Sequence, residues 1–284
     1  MYPTLTRGFA PPAGTVKRRG QGITLLLGRE DFGETNYSSY NLRSGLVRTL
    51  TMSWIKPFCL VYAMYGVQTA ITPPQPPARE QLVSTPLEPL LKQRLGPIIV
   101  KCLCWIVATV EIVVLVAKSL PNWRYSAALV SLLSHNERAD AIRISPVFVL
   151  GIFLTGLGAY LRAWCYRELG AFFTFEVSIR HDHRLVQSGP YAVVRHPGYA
   201  GILITLCGLG CWIGCAGSWL RECGALETRL GMLIALSVVS LVACITVGLL
   251  LRMSKEDEAL QKCFGADWEA YNSRVPFKLI PGVV

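Results

Sequence analysis

The run Leu230 to Leu251 contains 22 residues and no charge, so a chain carrying it must bury it whole or place it in lipid. Roughly 20 apolar residues at about 1.5 Å rise cross a bilayer core of about 30 Å. Tyr199 to Leu220 repeats the pattern with another 22 uncharged residues. The whole chain is 52% hydrophobic and only 16% charged, with a mean hydropathy of +0.39, whereas soluble domains carry about a quarter charged residues. These features predict a polytopic α-helical membrane protein. A net charge of +10 fits Lys and Arg in loops facing anionic lipid. No basic stripe interleaved with aromatics accompanies it, so no nucleic-acid partner is expected.

Three further runs complete the expected bundle. Pro97 to Leu120 contains Glu111, and Ile144 to about Trp164 is a shorter apolar stretch. Leu46 to Ile71 is the weakest span, because it carries Arg48 and the pair Lys56-Pro57. The predicted fold class is therefore all-α: a polytopic membrane helix bundle of about five transmembrane helices with an interfacial polar region. The chain divides into a polar, poorly ordered segment (1–45), N-terminal membrane helices and loops (46–144), and a region holding the chemistry (145–284). Segment 1–45 has no apolar core long enough for a signal peptide. Its six Lys and Arg favour the cytosol, whereas five spans would put it opposite the C-terminal tail; glycosylation at Asn36-Tyr37-Ser38 is the test. The Pro-rich stretch 72–78 reads as a linker.

The cysteines follow the membrane reading. Most of the ten lie inside apolar runs rather than in a disulfide pattern. Cys207, Cys211 and Cys215 fall on one helix face, and together with Gly208, Gly210 and Gly214 they point to small-residue packing. Cys102-x-Cys104 has no partnering His, so no metal is expected. Gly156-Leu-Gly158 also sits inside a span, and no glycine fingerprint joins a strand to a helix, which excludes a Rossmann-type nucleotide site.

Polar residues beside the spans carry the chemistry. One cluster, His183 to Tyr191 and then Arg195-His196-Pro197-Gly198-Tyr199, precedes the fourth span. A second, Arg252-Met-Ser-Lys-Glu256-Asp257-Glu258, follows the fifth, with Trp268, Tyr271 and Arg274 beyond it. If spans four and five form an antiparallel hairpin with a short turn, both clusters reach one membrane face. Arg252 and Glu256 share a helix face four residues apart. With His183, His196, Tyr191 and Tyr199 they suit a zwitterionic, aromatic ligand, and equally suit anchoring at the headgroups.

Several other residues have simpler readings. Glu111 is expected either to function or to pair with Lys101 or Lys118. Trp123, Trp212 and Trp219 read as interfacial anchors. His135, Asp257 and Glu258 are expected to be solvated.

Gly189-Pro-Tyr191 before Arg195-His-Pro-Gly-Tyr199, the Arg252-x-x-x-Glu256 pattern, and the terminal Phe264-Gly, Tyr271 and Arg274-Val-Pro276 together resemble the isoprenylcysteine carboxyl methyltransferase family. The resemblance covers roughly residues 150–281 and includes Leu161-Arg162 and Leu169-Gly-Ala-Phe-Phe173. It implies S-adenosyl-L-methionine as cofactor, held by His183, Arg184, Leu185, Val186, Tyr191, His196, Pro197, Gly198, Tyr199 and Glu256. Ser178 stands where some members have a cofactor-binding Gln, a departure from the pattern. Arg252 and Arg162 are implied on the catalytic, substrate side. The acceptor would be the α-carboxylate of a prenylated C-terminal cysteine, reached from membrane lipid in the endoplasmic reticulum, with the site facing the cytosol. A carboxylate above its pKa of about 3.5 needs no general base, so orientation and exclusion of water would drive transfer. A related enzyme methylating a phospholipid amine is the first rival. A transporter or structural membrane protein is the second, although neither internal repeats nor paired broken helices occur.

Overall fold

The computed structural model describes residues 54–72, 95–170 and 185–282. The expectations for residues 1–45, the linker, Ser178, His183, Arg184 and the His135 side chain lie outside these.

Helix α1 spans residues 54–71. It turns Leu60, Ala63, Met64, Val67 and Ala70 into the core while Phe58, Val61, Tyr62 and Tyr65 point outward. That outward apolar face is the surface of a helix among lipids rather than in water. α2 (Leu95–Ser119) follows, and then the short α3 (Ser126–Leu133). α4 (Pro146–Leu169) starts where Ser145 Oγ accepts from the Phe148 amide at 3.2 Å, with Pro146 in the first turn. α5 is Pro197–Gly214 and α6 a single turn, Trp219–Glu222. α7 runs for 36 residues, Arg229–Phe264, and α8 is Ala266–Arg274. Among the described residues, four helices are long and apolar enough to cross a membrane: α2 (from Gly96), α4, α5 and α7. The chain is a multi-pass, all-α membrane protein.

α4 and α5 are pressed together through glycine. A Cβ on Gly158 would lie 2.3 Å from Thr205 Oγ1 and 2.5 Å from the Gly201 carbonyl. One on Gly208 would lie 2.6 Å from the Thr155 amide nitrogen. Small residues let the backbones meet where lipid supplies no hydrophobic drive. Gly156 packs instead on the Tyr62 ring of α1. The packing expected of Gly210 and Gly214 is not found, since a Cβ on either would meet nothing.

Other expectations need correcting. The uncharged run through Leu220 is not one helix. It breaks after Gly214 because Gly217 takes φ +88°, with its amide held by Glu222 Oε1 at 2.7 Å. α5 and α7 do not form a tight hairpin: no α7 residue is buried before Ile245, and the pairing of spans is α4 with α5. Trp212 is no interfacial anchor, being fully buried in the core. Trp219 is half-buried, its Nε1 donating to the Leu133 carbonyl at 2.7 Å, while Trp123 is exposed at the end of α2.

Glu111 pairs with neither expected lysine. Its Oε1 lies 2.5 Å from Lys56 Nζ, with both side chains almost fully buried. Lys56 also donates to the Gly217 carbonyl at 2.6 Å and sits 4.9 Å over the Phe148 ring. Glu111 Oε2 accepts from the Trp219 amide at 3.0 Å. Lys118 goes to Asp140 and Lys101 to Thr72. The charge that makes α1 look like a poor span is thus neutralised inside the bundle. α1 runs from this buried pair to Ala70, which meets Arg162 at the opposite end.

Candidate active site

The bundle end opposite the Lys56–Glu111 pair is built by the start of α5, the ends of α1 and α4, and the polar half of α7. His196 precedes α5 and Pro197 opens it, a position that needs no amide hydrogen. The extended stretch entering α5 pairs with the segment after α8. The Arg195 amide donates to the Phe277 carbonyl at 2.9 Å, and the His196 amide to the Lys278 carbonyl at 2.8 Å. Tyr271 Oη on α8 donates to the Tyr191 carbonyl at 2.8 Å. Burial pushes that phenol up to about 12, so it remains a donor at neutral pH.

α7 brings its charges to this place. Its buried residues are Ile245, Gly248, Leu249, Arg252, Met253 and Asp257, one stripe at helical spacing. Tyr199 Oη donates to Glu256 Oε2 at 2.7 Å. His196 Nε2 lies 2.9 Å from Asp257 Oδ1. Asp257 Oδ2 faces Arg195 Nη1 at 3.3 Å and Lys278 Nζ at 3.7 Å. Arg195 also donates to the Pro276 carbonyl and lies over the Trp268 ring.

Arg162 reaches in from α4. Its Nε donates to the Ala70 carbonyl at 3.0 Å and its Nη1 to the Gly198 carbonyl at 3.2 Å. Gly201 makes room for it, since a Cβ there would lie 2.9 Å from Arg162 Cγ. Tyr199 is in the electrostatic field of Glu256, Arg252 and Arg162. Tyr191 is in that of Glu256 and Arg162, and burial holds its hydroxyl well above the usual phenol range.

Arg252 is different. It is only 7% exposed, and its Nε has no hydrogen-bond partner among the described residues. No ion pair to it is formed there either, although Glu256 stands one turn away. A buried guanidinium without an anion is expensive, and a negatively charged group beside Arg252 would offset that cost. Beside it stands Glu256, one carboxylate oxygen already committed to Tyr199. Cation, carboxylate and phenols together offer the chemistry that a ligand bearing both an acidic and a basic group requires.

The structure therefore brings together Arg162, Tyr191, His196, Gly198, Tyr199, Arg252 and Glu256 from separate parts of the sequence. Pro197 contributes through backbone geometry, and Leu185 and Val186 are half-buried ahead of the Gly189–Ala192 turn. Glu258 is exposed as expected. Asp257 is not: it is buried and carries three basic partners. Its place on the stripe from Ile245 through Arg252 was the available signal. Ala70, which holds Arg162, had no signal, because a backbone carbonyl leaves none in sequence.

Residues 149–214 match the isoprenylcysteine carboxyl methyltransferase (ICMT) family model. The cobalt-zinc-cadmium resistance protein CzcN of Cupriavidus metallidurans is 35% identical over 91 residues, 31% of this chain and 38% of that protein. Protein-S-isoprenylcysteine O-methyltransferase B of Arabidopsis thaliana is 27% identical over 128 residues, 44% of this chain and 55% of the relative. The Schizosaccharomyces pombe protein-S-isoprenylcysteine O-methyltransferase is 29% identical over 144 residues, 47% and 53% of the two chains. The chain thus spans about half the length of most of the curated relatives it matches. No solved structure matches it.

Proposed function

We propose that this chain, whose residues 149–214 match the isoprenylcysteine carboxyl methyltransferase family model, methylates the α-carboxylate of a prenylated C-terminal cysteine. The single observation that carries the reading is Arg252, a buried cation where α7 leaves its apolar run, with no ion pair and no partner for its Nε among the described residues.

S-adenosylmethionine, when bound, supplies a methyl group on a sulfonium. Its amino-acid part carries an ammonium and a carboxylate, and the half-buried Glu256 and the phenols of Tyr191 and Tyr199 are of the right chemistry to hold it. Leu185, Val186, His196, Pro197 and Gly198 would complete that side, with Ser178, His183 and Arg184 contributed by sequence resemblance alone. Arg252 would bind the acceptor carboxylate, with Arg162 fixing the start of α5 beside it through Gly198 and adding positive potential. A carboxylate is already ionised at neutral pH, so the chain needs no base to activate it. Its sluggishness in water comes from hydration, and a buried guanidinium replaces that water with a fixed partner. The outward apolar faces of the helices let a prenyl chain lie in lipid while the charged end reaches the interface.

An amine acceptor on a phospholipid fits this site less well, because the buried Arg252 charge would repel its protonated form. An endoplasmic reticulum location with this end in the cytosol follows from the proposed substrate, a processed cytosolic protein. The test is transfer of labelled methyl to farnesylcysteine and, in parallel, to phosphatidylethanolamine. Arg252→Ala and Glu256→Ala should insert normally and lose transfer to farnesylcysteine. Full activity in both variants refutes the assignment, and labelling of the phospholipid alone replaces the acceptor.

A further inference from the structure

We propose that Asp257 is a positioning residue for His196, fixing which ring nitrogen carries the proton and which is offered to a ligand; the ligand-facing half of this rests on the methyltransferase reading. Asp257 is 7% exposed and His196 5% exposed, so water does little to satisfy either. The carboxylate is bracketed by Arg195 at 3.3 Å and Lys278 at 3.7 Å, two cations that keep it ionised. An ionised carboxylate only accepts hydrogen bonds. The His196 Nε2 at 2.9 Å from Oδ1 must therefore carry the hydrogen. In a neutral ring that leaves Nδ1 as a lone-pair acceptor.

The ring cannot easily turn to undo this. Its own backbone amide is tied to the Lys278 carbonyl at 2.8 Å. The Tyr199 ring lies against it at a centroid distance of 5.6 Å, and Tyr199 is in turn held by Glu256 at 2.7 Å. One turn of α7 thus controls both aromatic groups at the head of α5: Glu256 holds Tyr199, and Asp257 holds His196. An acceptor at Nδ1 suits an ammonium or hydroxyl hydrogen, which a positively charged or protonated ring could not accept. The pattern is that of a carboxylate behind a functional imidazole, whose removal in metal sites typically costs about 10–100-fold.

Two measurements test this on the purified full-length protein in nanodiscs. The first is ¹⁵N NMR of labelled histidines, with the His196 signals identified by their loss in His196→Gln. Wild type should show the Nε2–H tautomer, and Asp257→Asn should convert it to a mixture, because the carboxamide can present either a donor or an acceptor. A wild-type Nδ1–H form, or an unchanged tautomer in Asp257→Asn, overturns the proposal. The wild-type spectrum decides this alone should the variant not fold. The second is the affinity for S-adenosylhomocysteine in a double-mutant cycle. Asp257→Asn should weaken binding about tenfold in wild type and less than about twofold in His196→Gln, as expected of coupled contacts. Equal losses in both backgrounds would make Asp257 a general structural residue and overturn the proposal while leaving the methyltransferase reading intact. Absence of binding by wild type, with the tautomer as stated, overturns the methyltransferase reading and the ligand-facing half together but leaves the Asp257–His196 lock standing.

Discussion

Removing both members of the Lys56–Glu111 pair should cost less than the two single losses added together. The side chains are 2% and 1% exposed and their charged atoms lie 2.5 Å apart. Lys56→Met would leave a buried carboxylate with, among the described residues, only the Trp219 amide as donor. Glu111→Leu would leave a buried ammonium facing the Gly217 carbonyl and the Phe148 ring. Breaking a buried pair on one side costs about 3–5 kcal/mol, so the two single losses sum to about 6–10 kcal/mol. In the double variant no charge remains, and the penalty falls to the two orphaned backbone groups, at about 1–3 kcal/mol each. Taking the middle of each range, about 8 kcal/mol against about 4 kcal/mol, the expected coupling between the sites is about 4 kcal/mol. Denaturation of the four proteins in mixed micelles, followed by tryptophan fluorescence, measures it directly. Costs that add to within about 0.5 kcal/mol would refute the reasoning, because two buried charges that depend on each other cannot behave independently.

Three other outcomes follow from the geometry. Gly158→Ala should force α4 from α5 and cost about 1–3 kcal/mol, while Gly210→Ala, with open space around it, should leave thermal stability unchanged or raised; equal melting temperatures for the two would count against glycine-mediated contact. Tyr199→Phe should lose about 1.5 kcal/mol from the bond to Glu256, the lower end for a charged acceptor because Glu256 is half-buried, and a melting temperature equal to wild type would contradict that bond. Tyr271 is raised in the fold from its usual 10 to about 12. The unfolded chain therefore loses this proton first, so the stabilisation is complete below pH 10 and disappears as pH rises through 12. Alkaline unfolding should be less steep across that window in Tyr271→Phe, and an unchanged slope would place the phenol in water.

What the sequence made legible follows the physics of each signal. Apolar length marks a helix in lipid whatever surrounds it, so the presence of α2, α4, α5 and α7 could be read directly. The pattern of Arg252 and Glu256 beyond the last apolar residue was equally local, since a helix carries its spacing with it. Where a residue depends on a distant partner, the sequence misleads. Lys56 counts against a membrane span until Glu111, which is 55 positions on, is placed beside it. Asp257 looks like one more surface acid in a charged turn until Arg195, His196 and Lys278 surround it. Trp212 resembles an interfacial tryptophan by composition, yet the close approach of α4 and α5 encloses it. The break after Gly214 was hidden because a glycine in an apolar run can equally continue a helix or end it, and only the needs of Lys56 and Glu222 decide.

The pairing of the α5 entry with residues 277 and 278 also constrains biogenesis. The two edges are made about 80 residues apart, with the whole of α7 between them. During translation the head of α5 enters the bilayer with its amides exposed and its histidine untethered. Only when α7 has been inserted and the chain has doubled back does the pocket acquire its second wall. An error in seating α7 therefore leaves the Tyr199–Glu256 and His196–Asp257 contacts unformed even when every earlier helix is in place.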